Sequence, residues 1–128
     1  MSYYFSKTVR DDFDTAILKV TEELKKEGFG VLTEIDVQET LKKKLDVDFR
    51  KYKILGACNP NFAHQALSEE PFIGTMLPCN VIVQQQENGK VEVSAVDPVA
   101  SMMAVQNEKL GEVAGAVREK LRKVISNI

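Results

Sequence analysis

Residues 79–96, Cys79-Asn80-Val81-Ile82-Val83-Gln84-Gln85-Gln86-Glu87-Asn88-Gly89-Lys90-Val91-Glu92-Val93-Ser94-Ala95-Val96, decide the fold. Cys79, Val81 and Val83 fall on one face of an extended segment and make it apolar. Glu87-Asn88-Gly89-Lys90 is a turn, because Asn-Gly tolerates the positive φ angles that tight hairpins require. Val91 to Val96 then pairs back. Two antiparallel strands joined this closely place the chain among antiparallel-sheet proteins. The segment carrying the first of these strands spans 72–84, with the strand clearest from Cys79 to Gln84.

Upstream lies a second extended segment, residues 49–58, in which Tyr52, Ile54, Gly56 and Cys58 fall on one face. It ends in Cys58-Asn59-Pro60. Asn is a strong N-cap and proline suits the first helical position, so a helix starts there. Phe62, Ala63, Ala66 and Leu67 form its inner face, and Pro71 closes it. Asp97-Pro98 repeats the device after the hairpin and opens the final helical region. There Leu110, Val113, Ala114, Val117, Leu121, Val124, Ile125 and Ile128 recur at helical spacing. Asn107 and Gly111 mark a kink or a fresh start.

The N-terminal half follows the same logic. Residues 2–9 read as a strand. Asp11 or Asp12 caps a helix whose buried stripe is Phe13, Ala16, Ile17, Val20 and Leu24, and Gly28 ends it. Phe29, Val31, Thr33 and Ile35 alternate as a strand. Asp36 caps a short helix over 37–45 with Val37, Leu41 and Leu45. Lys42, Lys43 and Lys44 sit where positive charge favours the helix dipole. They read as a solvated helix end ahead of a phosphate site. The whole is a single α+β domain, residues 1–128: a two-layer sandwich, with a largely antiparallel sheet and helices on one face.

The chain has 128 residues, enough to bury a core without disulfide or metal staples. Its net charge of −2 argues against a nucleic-acid partner, which needs a basic face. No apolar run is long enough to span a bilayer, and the N-terminus lacks a signal-peptide pattern. A cytoplasmic setting follows, and there two cysteines are expected as thiols rather than as a disulfide.

Those cysteines carry the chemistry. Cys58 and Cys79 both lie at strand ends, each followed by asparagine. If their strands are neighbours, the sulfurs meet in one site with Asn59 and Asn80 beside them. Cys58 precedes a helix N-terminus, a position that lowers a thiol pKa. The competing reading makes both cysteines small apolar core residues, and the asparagines backbone-satisfying turn residues. His64 lies one helical turn after Pro60. With Cys58 and Cys79 it falls short of the four ligands of a structural zinc. A monovalent copper ion with Met102 or Met103 as thioether donor is conceivable, but no metal or cofactor is assigned. Ser68, Ser94 and Ser101 form no nucleophile pattern. Asp97 is a helix cap ahead of an acid or base.

The segments Tyr52-Lys53-Ile54-Leu55-Gly56-Ala57-Cys58-Asn59-Pro60, Leu77-Pro78-Cys79-Asn80-Val81-Ile82-Val83 and Asp97-Pro98 resemble the bacterial and archaeal family called domain of unknown function 302. Glu34-Ile35-Asp36-Val37 and Lys44-Leu45 are similar to it as well. The resemblance covers nearly the whole chain. It implies a β-α-β(4)-α core related to the TATA-binding-protein-like fold, often dimeric, and it implies no function. The matched motif residues are Cys58, Asn59, Pro60, Pro78, Cys79, Asn80, Asp97 and Pro98. Three functional readings follow: a ligand-binding or thiol- and metal-sensing module around Cys58 and Cys79, a thiol-dependent reductase or transferase using Cys58, or an interaction module with both cysteines in the core. The expected partners are a second copy and a small-molecule ligand.

Overall fold

The computed structural model describes residues 2–128. Among them, five strands form one sheet in the order β1-β5-β4-β3-β2, every neighbouring pair antiparallel. The strands are β1 (Tyr4–Val9), β2 (Gly30–Asp36), β3 (Tyr52–Cys58), β4 (Cys79–Gln85) and β5 (Val91–Val96). The helices are α1 (Phe13–Lys26), α2 (Val37–Leu45), α3 (Pro60–Glu69), α4 (Pro98–Ser101) and α5 (Glu108–Asn127). A 3-10 helix, Pro71–Met76, joins α3 to β4. This is the expected α+β two-layer sandwich with a long C-terminal helix. Within residues 72–84 the strand begins at Cys79, where the sequence made it clearest, and the residues before it hold the 3-10 helix.

Local chemistry sets the element ends. Asp12 Oδ1 accepts the Thr15 N–H at 2.8 Å and caps α1. That bond, made to the ionised carboxylate, holds the Asp12 pKa below the ordinary value. Gly28, at φ +86°, turns the chain out of α1. Asp36 caps α2 through the Glu39 N–H at 3.0 Å. Asn107 accepts from Lys109 and Leu110 and starts α5 afresh. Asp97 Oδ1 accepts from Val99 at 3.0 Å, and its Oδ2 accepts from Arg118 Nε at 3.0 Å. Its carboxylate is thus a cap and an ion-pair partner at once. Lys42 pairs with Asp46 at 3.0 Å and Lys43 with Glu39 at 2.7 Å, as a solvated helix end would.

The sheet buries one face under α1 and α5. Leu55, Val81, Val83 and Val93 point to this side and are fully buried with Val20, Leu24 and Leu121. A second, smaller cluster joins Ala66, Ile73, Met102, Leu110 and Ala114, where α3, the 3-10 helix and the α4–α5 region meet. The opposite sheet face has no helix of the main core on it.

Two expected alternations are corrected. In β2 the register shifts between Val31 and Thr33. Val31 pairs with Ala57 on the helix side, whereas Thr33 pairs with Gly56 on the open side. The extra residue, Leu32, forms a bulge, so Val31 and Thr33 do not share a face. In β3, Tyr52, Ile54 and Gly56 share the open side, but Cys58 leaves the alternation as the strand ends and faces a cavity on the helix side. The short helix α2 buries none of its residues, Val37, Leu41 and Leu45 included.

Candidate functional site

β3 and β4 are neighbours, with Ala57 opposite Cys79 and Gly56 opposite Asn80. The strand ends bearing the two cysteines therefore lie side by side. Gly56 makes this approach possible. A Cβ there would stand 2.1 Å from Thr33 Oγ1 and 2.8 Å from Pro78 Cγ, far inside contact distance. Only glycine lets β2 and the Leu77-Pro78 segment close on β3 at this point.

Beside the strand ends is a cavity of about 280 Å³, walled by the sheet, α3, α5 and the Leu77-Pro78 segment. Cys58, Asn59 and Cys79 line it together. Phe29, Phe62, Leu77, Met102, Leu110 and Val117 supply much of the remaining wall, and no lining residue carries a charged side chain. The two thiols and the Asn59 amide are its only polar side chains. The cavity bridges both hydrophobic clusters, Cys79 belonging to the larger and Met102, Leu110 and Ala114 to the smaller.

Both cysteines are free, Cys58 half-buried and Cys79 buried. Burial, with the nearby Cys58 charge acting in the same sense, pushes the Cys79 thiol up to about 11. Cys79 is therefore a neutral thiol at physiological pH and a poor nucleophile.

Asn59 is at the N-cap position of α3 yet does not cap it with its side chain. It is 8% exposed and donates Nδ2 to the Glu27 carbonyl at 3.2 Å, across the end of α1. Its Nδ2 donor is taken by a partner 32 residues away at the end of α1. Gly28 completes the fit, since a Cβ there would lie 3.0 Å from Asn59 Nδ2.

Asn80 goes elsewhere. As the β4 residue next to Cys79 it points to the opposite face. There it lines a shallow open concavity with Tyr4, Tyr52, Ile82, Gln84 and Ser94. His64 does not line the thiol cavity, and neither does Met103, which is largely exposed. Among the described residues no group of three or more His, Cys, Asp and Glu side chains is arranged to hold a metal ion. Sequence reasoning missed the α5 wall of the cavity, Leu110, Val113, Ala114 and Val117. Their helical stripe was visible, but the portion of it left short of full packing was not.

No helix among the described residues is long and apolar enough to cross a membrane. A search of curated proteins found no match to the sequence. The family model described as "Domain of unknown function DUF302" matches residues 5–128. The chain is similar to the crystal structure of an uncharacterized conserved DUF302 protein from Bacillus stearothermophilus, at 30% identity and a TM-score of 0.91 over 98% of each chain. With the model spanning nearly all of the sequence and the fold agreeing, the chain belongs to the DUF302 family.

Proposed function

We propose that the protein is a small cytoplasmic binding module whose ligand is a neutral, largely apolar molecule held in the cavity beside Cys58, Asn59 and Cys79. The carrying observation is the cavity wall, which is apolar except for two thiols and one amide. A charged organic ligand would be desolvated there with no charged side chain to pair with, at a cost of several kcal/mol. An apolar ligand of matching size gains from leaving water. An apolar cavity of about 150 Å³ accepts benzene, so about 280 Å³ has room for roughly a fused two-ring molecule or a medium acyl chain. Asn59 supplies the orienting polar contact.

The alternative is a thiol enzyme using Cys58. It is favoured by the position of Cys58 at the start of α3, half-buried and facing the cavity. It is opposed by the walls, which hold no His, Asp, Glu, Lys or Arg to move a proton. Its Cys79 partner also holds its proton at physiological pH.

The reading includes a homodimer built on the open sheet face. Tyr4 and Ile35 are about half exposed there. Of Tyr52, Ile54, Asn80, Ile82, Gln84 and Glu92, only Glu92 is charged, and Gln84 and Gln86 bind its carboxylate. Depletion of charge is a mark of interface cores. Sedimentation at micromolar concentration is expected to give a dimer, and a monomer removes this part of the reading.

Titration with a neutral naphthylamine dye tests the cavity. Saturable fluorescence enhancement at one dye per chain is expected, abolished by Ala114→Leu, which fills the cavity from α5. No saturable signal, or a signal unchanged in Ala114→Leu, defeats the proposal.

A further inference from the structure

The thiol end of the cavity has a chemistry of its own. Ala57 and Cys79 are register partners, so Cys58 is the diagonal neighbour of Cys79. Strand spacing then puts their Cα atoms about 6 Å apart, inside the Cα separation that bridged cysteines span. Cys58 and Cys79 both line the same cavity.

We propose that Cys58 and Cys79 together bind one soft monovalent metal ion, with Cu(I) as the fitting case, as a two-coordinate bis-thiolate. The proposal stands apart from the organic-ligand reading, because it requires the two thiols and not the empty volume beyond them.

The donor set selects the ion. Thiolates are soft ligands and prefer soft cations. Zinc takes four ligands, and calcium or magnesium takes six or more oxygens. The cavity wall offers two thiols, the Met102 thioether, and no carboxylate or imidazole. Cu(I) is satisfied by two thiolates, and the apolar wall keeps out the water that harder ions need.

The protons and charges balance without an oxidant. Each S–H bond breaks as its S–Cu bond forms, and each proton goes to solvent. Copper enters and remains as Cu(I). The high pKa of Cys79 is no obstacle, because a coordinating metal deprotonates a thiol outright. The bound unit of one cation and two thiolates carries one net negative charge. The start of α3 lies beside it. This helix has ten residues, no acidic residue in its first turn and no side-chain cap, since the Asn59 amide is turned to Glu27. Its N-terminal N–H groups and dipole therefore favour the anionic complex.

The test uses the reduced full chain without oxygen, titrated with Cu(I) against a chromophoric Cu(I) chelator. One ion per chain is expected, with thiolate-to-copper charge-transfer absorption. Changes outside the ligand shell already cost 10- to 100-fold in metal affinity, so removing one of two ligands by Cys58→Ser should cost at least ~100-fold. Cys79→Ala should do the same, and circular dichroism checks that each variant is folded. Cys58 is only half-buried, so Cys58→Ser keeps the test decisive if the Cys79 variant does not fold. Absence of the absorption, equal affinity in wild type and Cys58→Ser, or zinc binding as tight as Cu(I) would overturn the proposal. Ala114 belongs to the cluster that does not contain Cys79. Ala114→Leu is therefore expected to lose the dye and keep copper, which separates failure of either reading from failure of the other.

Discussion

Asn59 Nδ2 donates to the Glu27 carbonyl at 3.2 Å, fastening the first turn of α3 to the last turn of α1. The bond is part-buried, Asn59 itself being buried, and it fixes the residue that follows Cys58. Asn59→Ala leaves the Glu27 carbonyl without this donor. Losing one partner of a buried hydrogen bond costs about 1–3 kcal/mol, to be read as a lower urea midpoint at unchanged m-value. Asn59→Asp should cost at least as much, because it sets a carboxylate against that carbonyl. An Asn59→Ala protein as stable as wild type would show the bond to be dispensable.

Gly56→Ala should destabilise through crowding. The new methyl group would meet Thr33 Oγ1 and Pro78 Cγ at 2.1 and 2.8 Å. Overpacking of this kind costs about 1–3 kcal/mol. Thr33→Ala removes the nearer obstacle, so the double variant should recover part of the loss. A double-mutant cycle checks this, with about 0.5 kcal/mol or more of coupling expected.

The two thiols should differ in alkylation rate. Iodoacetamide at pH 8 is expected to modify Cys58 first. Cys79, with a pKa of about 11, has about one part in a thousand as thiolate at that pH, and it is buried as well. Site-resolved mass spectrometry reads both rates. Equal rates in the folded protein would contradict the assigned environments.

The same thiol makes stability fall at alkaline pH. Its pKa is raised from 9.0 to about 11 by folding. Between these values the unfolded chain has lost the proton and the native chain retains it. The native state therefore binds more protons there, and unfolding free energy decreases as pH rises. The contribution is complete below pH 9 and is lost by about pH 11, a change of up to about 3 kcal/mol. Lysines and tyrosines titrate in this window too, so the difference in slope between wild type and Cys79→Ala isolates the effect. A Cys79→Ala curve parallel to wild type would refute it.

Asp97→Ala should be among the costly substitutions. It removes the N-cap bond to Val99, worth about 0.5–2 kcal/mol. It also removes the charge-assisted bond to Arg118, worth about 1.5–3 kcal/mol. Asp97→Asn can keep the first and weaken the second, so its melting temperature should lie between those of Asp97→Ala and wild type.

Much of this architecture was legible in the sequence because its signals are local. The Asn88-Gly89 turn, the Asp12, Asp36, Asp97 and Asn107 caps and the α5 stripe each depend on a few adjacent residues. What was not legible depends on distant partners. The Leu32 bulge is visible only in the pairing of β2 with β3. Asn59 has the identity and position of a capping residue, but Glu27 claims its side chain. That Cys58 and Cys79 line one cavity required β3 and β4 to pair, which the motifs suggested without fixing. That Asn80 would face away from Cys79 follows from strand alternation alone, and the likeness of the two Cys-Asn motifs obscured it.

The division of the interior into two clusters gives the molecule two tiers of solvent protection. The larger cluster ties every strand but little of the α3 and α4 regions, while the smaller one is held by a few side chains. Amides of the 3-10 helix and of α4 should therefore exchange through partial openings of low free energy. Those at the centre of β4 should wait for global unfolding. Opening of the cavity that straddles this boundary would then need only the minor cluster to loosen, the sheet staying intact.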